Sequence, residues 1–343
     1  MAPWYEDAVT DRGFIISARV RLARNVKKYP FRAKLTEQLA KEMVAETTAS
    51  ITEGRTIWAN SFMNISDYSE IDNKMFIEKH IISPEFAANK QPKGLLLQEE
   101  ENISIMLNEE DHIRIQTLAP GDSLVKCWES ANHIDNLIEE TIEFAFDKNY
   151  GYLTACPTNA GTGLRASYMI HLPLLEKSGQ LKNMLPAIGK FGIAIRGLYG
   201  EGTESMGNIF QVSNQVTLGK SEEEIIEGLQ NVAQNVIEKE QALRDKAMQT
   251  HRLDIENNIH RSYGILKYSR KTNLKEAMNM LSEIRLGRAM GLFYYPSPKS
   301  LYQVMMEIQP GHIQRKAGET MDETALDVAR ADYLRDIFKE EYL

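Results

Sequence analysis

The hydrophobic and polar positions divide the chain into a mixed region and a helical region. Before about residue 250, short runs with a period of two, which is typical of strands, alternate with runs of helical spacing. In the clearest strand, residues 14–22, Ala18, Val20 and Leu22 point to one face and Ser17, Arg19 and Arg21 to the other. From residue 251 onward no strand pattern occurs. The pattern therefore predicts a domain boundary near residue 250.

The same patterns predict the individual elements of each region. Helical spacing covers 35–51, with Thr36 as the cap, and also 71–82, 128–146, 274–290, 298–308 and 320–338. A capping box at Ser221–Glu224 opens a further helix that extends to about residue 248. Strands are expected at 95–97, 103–107, 113–118, 152–155, 191–196 and 209–218.

The stretch 156–167 combines a cysteine, two glycines and an arginine. We interpret it as a glycine turn after a strand, followed by a helix over 164–175. Backbone N–H groups near Gly161 and Gly163, the helix N-terminus and Arg165 would then hold a phosphate. Cys156 before the helix would have a lowered pKa. Taken alone, a structural turn with a buried cysteine explains the residues equally well, since no Walker A lysine follows and the match to a dinucleotide fingerprint is weak.

Two further charge patterns each allow two interpretations. Arg19 and Arg21 on one strand face either bind an anion or form a solvated face. Glu109, Glu110 and Asp111 crowd the tip of the 103–118 hairpin, so either a cation compensates them or the tip is solvated. The sequence alone favours the solvated alternative in both cases.

Composition excludes several classes of function. The formal net charge is −8 over 343 residues, which argues against nucleic acid as the main ligand. No apolar run reaches the length of a membrane span. The two cysteines, Cys127 and Cys156, fit a reducing cytoplasm, and the seven histidines show no zinc-site spacing. We therefore expect a cytoplasmic protein without a dedicated metal site.

Four blocks resemble the phosphagen (guanidino) kinases. They are 17–21 (SARVR), 108–114 (NEEDHIR), 156–167 (CPTNAGTGLRAS) and 196–201 (RGLYGE), in the family's order and spacing. The resemblance implies an α+β catalytic domain over 1–250, a largely antiparallel sheet backed by helices, and an all-helical domain over 251–343 that dimerises. It also implies ATP and Mg²⁺ as cofactors. The protein-arginine kinase branch of the family is the most similar, which implies phosphorylation of arginine side chains in proteins.

The resemblance also assigns roles to individual residues. Glu110 and Glu201 are expected to grip the substrate guanidinium and accept its proton, and Cys156 to position the attacking nitrogen. The ATP site is expected to contain Ser17, Arg19, Arg21, His80, Arg114, Arg165, Ser167, Met169 and Arg196. A phosphoarginine-sensing motif near the C-terminus is matched by Asp327 and Arg330, although Leu326 replaces its first arginine.

The acceptor and the partners follow from the same resemblance. Only 16 residues precede Ser17, so the N-terminal helical domain of the small-molecule kinases is missing and we expect a protein-borne arginine as acceptor. A heat-shock repressor as substrate, a zinc-finger-type activator and a Clp-type unfoldase are the implied partners, with a role in stress response. A small-molecule guanidino kinase and an inactive nucleotide- or phosphoarginine-binding adaptor are the alternatives.

Overall fold

The computed structural model describes residues 3–7, 11, 13–53, 58, 61–198, 205–294 and 299–339. The chain forms two compact units. Unit 1 comprises Met1–Trp4, Ala18–Ser167 and Ser213–Leu229, and unit 2 comprises Tyr5–Ser17, Tyr168–Val212 and Gln230–Leu343. Each unit therefore combines segments that are distant in sequence.

An eight-stranded sheet is the largest element of the fold. The strands in the described residues are β1 Ile15–Arg24, β2 Phe62–Met63, β3 Gly94–Leu97, β4 Ile103–Leu107, β5 Ile113–Pro120, β6 Phe146–Asp147, β7 Gly151–Tyr152, β8 Leu164–His171, β9 Ile193–Gly197 and β10 Ile209–Asn214. The order across the sheet is β2-β3-β4-β5-β1-β8-β10-β9, and β6 and β7 form a separate antiparallel pair. The strands β2 to β5 are antiparallel neighbours, as the α+β prediction requires.

The period-two pattern of β1 is confirmed by its burial. Ala18, Val20 and Leu22 are fully buried, whereas Arg19 and Arg21 on the opposite face are partly exposed. Burying each aliphatic side chain contributes about 1.5–3 kcal/mol, which fixes the register because a slip of one residue would bury the arginines instead. The strand therefore presents its two arginines on one face.

The helices of unit 1 agree with the sequence pattern in type more than in length. They are α1 Glu37–Thr52, α2 Glu70–Glu78, α3 Pro84–Ala88, α4 Leu124–Glu139 and the start of α7 Glu222–Thr250. Thr36 caps α1 by accepting from the Leu39 N–H, and Ser221 and Glu224 form the predicted capping box. The helix predicted at 71–82 is α2, which already ends at Glu78. The helix predicted at 128–146 is α4, which begins four residues earlier and ends at Glu139, and Phe146 belongs to strand β6.

The prediction of a helix over 164–175 is wrong, because residues 164–171 form β8. Leu164 and all of Ala166–His171 are buried, so most of the strand is covered on both faces and its sequence lacks the alternation that marks a half-buried strand. A short helix, α5 Pro173–Lys177, begins only after the strand. The central stretch is therefore a turn between strands rather than a helix N-terminus.

Unit 2 is mainly helical. Besides α5 it contains α6 Gln180–Gly189, most of α7, α8 Arg252–Tyr268, α9 Leu274–Ala289, α10 Leu301–Glu307, α11 Pro310–Ala317 and α12 Glu323–Ile337. Three helices were predicted at the positions of α9, α10 and α12, whereas α8 and α11 were not predicted. Apolar side chains of α9 and α10, including Leu281, Ile284, Val304 and Met305, are almost completely buried and form much of its core.

Candidate active site

Arg21 is the best-defined member of a cluster of arginines in unit 1. Burial lowers the pKa of its guanidinium well below the usual value, and the positive charges of Arg19, Arg114 and Arg165 lower it further. Its Nε atom is fully buried and makes no hydrogen bond within the described part of the chain. Such a cluster is electrostatically unfavourable by itself, so it favours binding of an anion. The binding of an anion by the β1 face stays a prediction.

Arg114 belongs to the same cluster and is held by the hairpin that carries it. Its Nη1 donates to Glu109 Oε1 at 2.8 Å, and its Nη2 donates to Glu110 Oε2 at 3.3 Å. Glu109 also raises the pKa of Arg21. One buried carboxylate therefore offsets part of the positive charge of two arginines.

The acidic hairpin tip is not a solvated turn. Glu109 and Asp111 are almost completely buried, and only Glu110 among the three is substantially exposed, with 43% of its side chain accessible. Burial raises the pKa of Glu110, Arg114 lowers it, and the neighbouring carboxylates Asp111 and Glu109 raise it. The exposed Glu110 is thus a carboxylate with an increased affinity for a proton.

Cys156 lies at the start of the turn that leads into β8. Its Sγ lies 3.0 Å from Thr158 Oγ1, and residues Pro157–Asn159 form a single turn of 3₁₀ helix. Gly161 and Gly163 both have positive φ, and a Cβ there would lie 2.7 Å from Thr217 O and 2.6 Å from Ala23 O. Both glycines are therefore required by close backbone contacts, and the sulfur remains partly exposed.

Arg165 and Ser167 lie on β8, on the face opposite Leu164 and Ala166. Arg165 contributes to the electrostatic field at Arg21, as described above. Ser167 is buried and lies at the end of the β8 segment that belongs to unit 1.

His80 follows α2 in a left-handed backbone conformation, with φ of 60°. Its carbonyl accepts from Gln116 Nε2 at 2.7 Å, and the preceding helix packs in a core that contains Phe76, Ile81 and Phe86. Burial, followed by the charges of Arg19 and Arg21, lowers the pKa of His80 to about 3. A neutral imidazole therefore lies within the field of the arginine cluster.

Three other expected ATP-site residues belong to unit 2. Ser17 is buried, Met169 is buried with its Sδ 3.6 Å from Tyr302 Oη, and Arg196 is exposed on β9. The expected second carboxylate, Glu201, lies outside the described residues.

The C-terminal pair Asp327 and Arg330 is buried on α12. Arg330 donates to Asp327 Oδ1 at 2.7 Å, to Ile308 O at 3.0 Å and to Thr272 O at 2.9 Å. These bonds connect α12 to the residues that precede α9 and follow α10. The sensing role of this pair stays a prediction.

Sequence reasoning missed several residues that hold the site together. Arg24 binds Asp135 through Nη2 at 2.6 Å and donates from Nη1 to Thr162 O at 2.9 Å, and its guanidinium lies 3.5 Å from the centroid of the Tyr152 ring. Asn25 connects the hairpin tip to the cysteine turn through Asp111, which the sequence placed only in the acidic tip. For Arg24 and Asn25, the signal in the sequence was their adjacency at the end of β1.

The described residues contain no group of three or more His, Cys, Asp or Glu side chains that could hold a metal ion. No helix among them is long and apolar enough to cross a membrane. The arginine cluster in contrast suits a polyphosphate, because each guanidinium can donate two parallel hydrogen bonds to phosphate oxygens.

Two family models match the chain. Residues 39–243 match the family described as ATP:guanido phosphotransferase, C-terminal catalytic domain. Residues 252–342 match the family described as protein-arginine kinase McsB C-terminal domain. The two matches together cover most of the chain.

Several relatives are similar over nearly their whole length. Protein-arginine kinases from Caldanaerobacter subterraneus subsp. tengcongensis and Brevibacillus brevis are 41% and 42% identical, covering 94% and 97% of this chain and 96% and 94% of their own. The protein-arginine kinase of Bacillus subtilis is 39% identical and covers 98% of this chain and 93% of its own.

Solved structures show the same fold. A duplicated taurocyamine kinase from Schistosoma mansoni has a TM-score of 0.62 and 26% identity, covering 70% of this chain and 35% of that one. A lombricine kinase has a TM-score of 0.60 and 24% identity and covers 72% of each chain. With the family matches and the full-length relatives, these comparisons show that this chain belongs to the bacterial protein-arginine kinases, a branch of the ATP:guanido phosphotransferases.

Proposed function

We propose that the arginine cluster of unit 1 binds the phosphates of ATP, and that the exposed carboxylate Glu110 orients the guanidinium of an arginine side chain in a protein. The observation that carries the proposal is the convergence of positive charge from Arg19, Arg114 and Arg165 on Arg21. Arg196 is proposed as a further ATP-binding residue from its match to the family pattern. Ser17, His80, Ser167 and Met169 are proposed as ATP-binding residues on the same ground.

The chemistry requires mainly alignment and neutralisation of charge. The attacking guanidine nitrogen forms a bond to the γ-phosphorus while the bond from that phosphorus to the β,γ-bridging oxygen breaks, and ADP leaves. Arginines suit the clamp because their planar guanidinium groups can donate paired hydrogen bonds to phosphate oxygens.

The proton of the attacking nitrogen goes to a carboxylate. A free guanidinium has a pKa above about 12 and is a poor nucleophile, so it must lose a proton as the N–P bond forms. The raised pKa of Glu110 favours accepting that proton. Glu201 is the second carboxylate of the proposal, and the partly exposed Cys156 orients the same nitrogen.

Mg²⁺ is proposed to enter with ATP. Magnesium keeps several waters and binds readily to the phosphates of its nucleotide, so the protein need not supply a cage. It supplies neutralisation of phosphate charge when bound. In this proposal magnesium would be held mainly by phosphate oxygens and water, and the arginines bind the remaining phosphate oxygens.

A direct comparison of acceptors tests this function. Free L-arginine and an arginine-containing protein are supplied at equal arginine concentration with Mg-ATP. ADP release is measured, and phosphoarginine is mapped by mass spectrometry under non-acidic conditions. Phosphorylation of the protein with little of the free amino acid is expected. Efficient turnover of free arginine would instead indicate a small-molecule guanidino kinase, and ATP binding without turnover would indicate an adaptor.

The domain organisation and biological setting are part of the same proposal. Residues 1–250 form the catalytic domain and 251–343 form a helical domain that dimerises, in keeping with the family matches that meet between residues 243 and 252. The resemblance supports a cytoplasmic role in stress response, with a heat-shock repressor as a substrate, a zinc-finger-type activator and a Clp-type unfoldase. Asp327 and Arg330 remain the proposed phosphoarginine-sensing pair.

A further inference from the structure

Asp111 connects the hairpin tip to the cysteine turn inside unit 1. Its side chain is completely buried, although it neighbours the exposed Glu110 in sequence. Asp111 Oδ1 accepts two hydrogen bonds of 2.7 Å, one from the Ala155 N–H and one from Asn25 Nδ2. Ala155 directly precedes Cys156, so this oxygen links the segment of one proposed substrate-binding residue to the segment of another.

Asn25 strengthens the same connection from the end of β1. Its Nδ2 makes a second bond, to Leu153 O at 3.0 Å, and its Oδ1 accepts from the His112 N–H at 3.0 Å. Both hydrogens of the amide nitrogen and the amide oxygen are thus used, and they join three segments that are far apart in sequence. A carboxamide saturated in this way has little freedom to rotate.

Backbone hydrogen bonds in the hairpin tip couple the position of Glu110 to that of Asp111. The Glu109 N–H donates to Asp111 O at 3.1 Å, and the Asn108 N–H donates to His112 O at 2.8 Å. Glu110 lies between two residues whose backbones are fixed by these bonds. A displacement of Asp111 would therefore displace Glu110 as well.

The burial of a carboxylate here is costly for stability. Asp111 Oδ2 is buried and has no hydrogen-bond partner among the described residues, and burial raises the pKa of the carboxyl group. An unsatisfied buried polar atom costs about 1–3 kcal/mol, so folding alone does not explain an aspartate at this position. A site that requires fixed geometry does explain it, since a misplacement of about 1 Å can cost about 10²-fold in rate.

We propose that Asp111 and Asn25 are positioning residues that set the placement of Glu110 relative to Cys156. This inference rests on the substrate-binding roles proposed above for Glu110 and Cys156. Neither positioning residue contacts the substrate. They act through the hydrogen bonds that join the hairpin tip, the end of β1 and the cysteine turn.

Asp111→Ala and Asp111→Asn test the inference with the full-length protein. The Ala variant loses the acceptor oxygen, so kcat is expected to fall by about 10- to 100-fold while KM for ATP changes less than about threefold. The Asn variant is nearly isosteric and retains an acceptor oxygen, so it is expected to recover most of the rate. Asn25→Ala removes the other half of the link and is measured in parallel, in case one alanine variant does not fold. Asp147→Ala is the matched control, because Asp147 also accepts two backbone N–H bonds, from Asn149 and Tyr150, but outside this network.

A double-mutant cycle with Cys156→Ser separates positioning from a purely structural role. If Asp111 acts through the cysteine turn, the loss caused by Asp111→Ala shrinks to less than about threefold in the Cys156→Ser background. Equal losses in both backgrounds, or a loss explained by a smaller folded fraction, overturn the inference. The role proposed for Cys156 fails differently, since Cys156→Ser by itself would then leave kcat unchanged, and the proposed function fails if the unsubstituted protein does not phosphorylate arginine. Either result removes the premise and overturns the inference with it.

Discussion

Arg114 Nη1 donates to Glu109 Oε1 over 2.8 Å, an ion pair in which the Glu109 side chain is only 1% exposed. Ser83 Oγ donates to the same oxygen at 2.6 Å. The pair holds Arg114 of the arginine cluster in place, and the carboxylate offsets part of the positive charge of the neighbouring arginines. Glu109 is therefore a structural counter-charge, whereas the adjacent Glu110 remains accessible.

Glu109→Gln is expected to destabilise the protein in the absence of nucleotide. Removing one partner of a buried ion pair costs about 3–5 kcal/mol, and here it also leaves the arginine cluster less compensated. Chemical denaturation measures the loss, and Mg-ATP should stabilise the variant more than the unsubstituted protein because it replaces the missing negative charge. Glu143→Gln, in a largely exposed pair with Lys27, is the control and should change stability by less than about 1 kcal/mol. An equally small effect of both variants would contradict this role of Glu109.

Glu110→Gln is expected to lower kcat by about 10²-fold or more, the usual scale for losing a positioned proton acceptor. ATP binding should stay nearly intact, since the carboxylate is proposed to contact the guanidinium rather than the nucleotide. Because burial raises the pKa of Glu110, the acid limb of the rate profile should lie above the usual range for glutamate. Steady-state kinetics across pH checks both points. Glu129→Gln, on the exposed side of α4, should behave as the unsubstituted protein, and near-normal turnover of Glu110→Gln would disprove the assignment.

Alkylation should inactivate the enzyme through Cys156 and not through Cys127. Burial raises the pKa of Cys127 to about 12, so almost none of it is thiolate at neutral pH, whereas Cys156 is partly exposed. Cys127→Ser should retain sensitivity to iodoacetamide, Cys156→Ser should lose it, and Mg-ATP with a protein substrate should slow the reaction. Peptide mapping identifies which of the two cysteines is alkylated. Loss of sensitivity in Cys127→Ser but not in Cys156→Ser would contradict the prediction.

His80 should make the stability of the folded state depend on pH. Its pKa is lowered from 6.5 to about 3, so the unfolded chain binds a proton between these values and the folded chain does not. The stability contribution is therefore complete above pH 6.5 and decreases as the pH falls toward 3. At pH 5 the expected loss is about 2 kcal/mol relative to neutral pH, from about 1.4 kcal/mol per pKa unit.

The variant His80→Gln removes this titration and should lose less stability than the unsubstituted protein between pH 7.5 and pH 5. Denaturant unfolding at the two pH values gives the difference, in which all other titrating groups cancel to first order. A parallel pH dependence of both proteins would show that His80 is not shielded from protonation by burial and the nearby arginines.

The sequence by itself determined the family, the strand that carries Arg19 and Arg21, and the hairpin that carries Glu110 and Arg114. These features depend on local periodicity and on residue order, which the chain carries without tertiary contacts. Sequence patterns also located α1 and the start of α7, because their caps are formed by neighbouring residues. Periodicity failed at 164–171, where a buried strand and an amphipathic helix have similar composition.

Only the tertiary structure decided which of the three acids at the hairpin tip are buried and which is accessible. Glu109 and Asp111 turn inward because Ser83, Asn25 and the Ala155 N–H supply partners from other segments, and Arg114 supplies one from the same hairpin. Glu110 remains accessible. A carboxylate can be buried only where such donors converge, and convergence depends on contacts between residues up to 86 positions apart. For that reason the sequence identified only three adjacent acids. In the fold, Glu109 is a counter-charge to Arg114, Glu110 is accessible for the proposed substrate, and Asp111 links the hairpin tip to the cysteine turn.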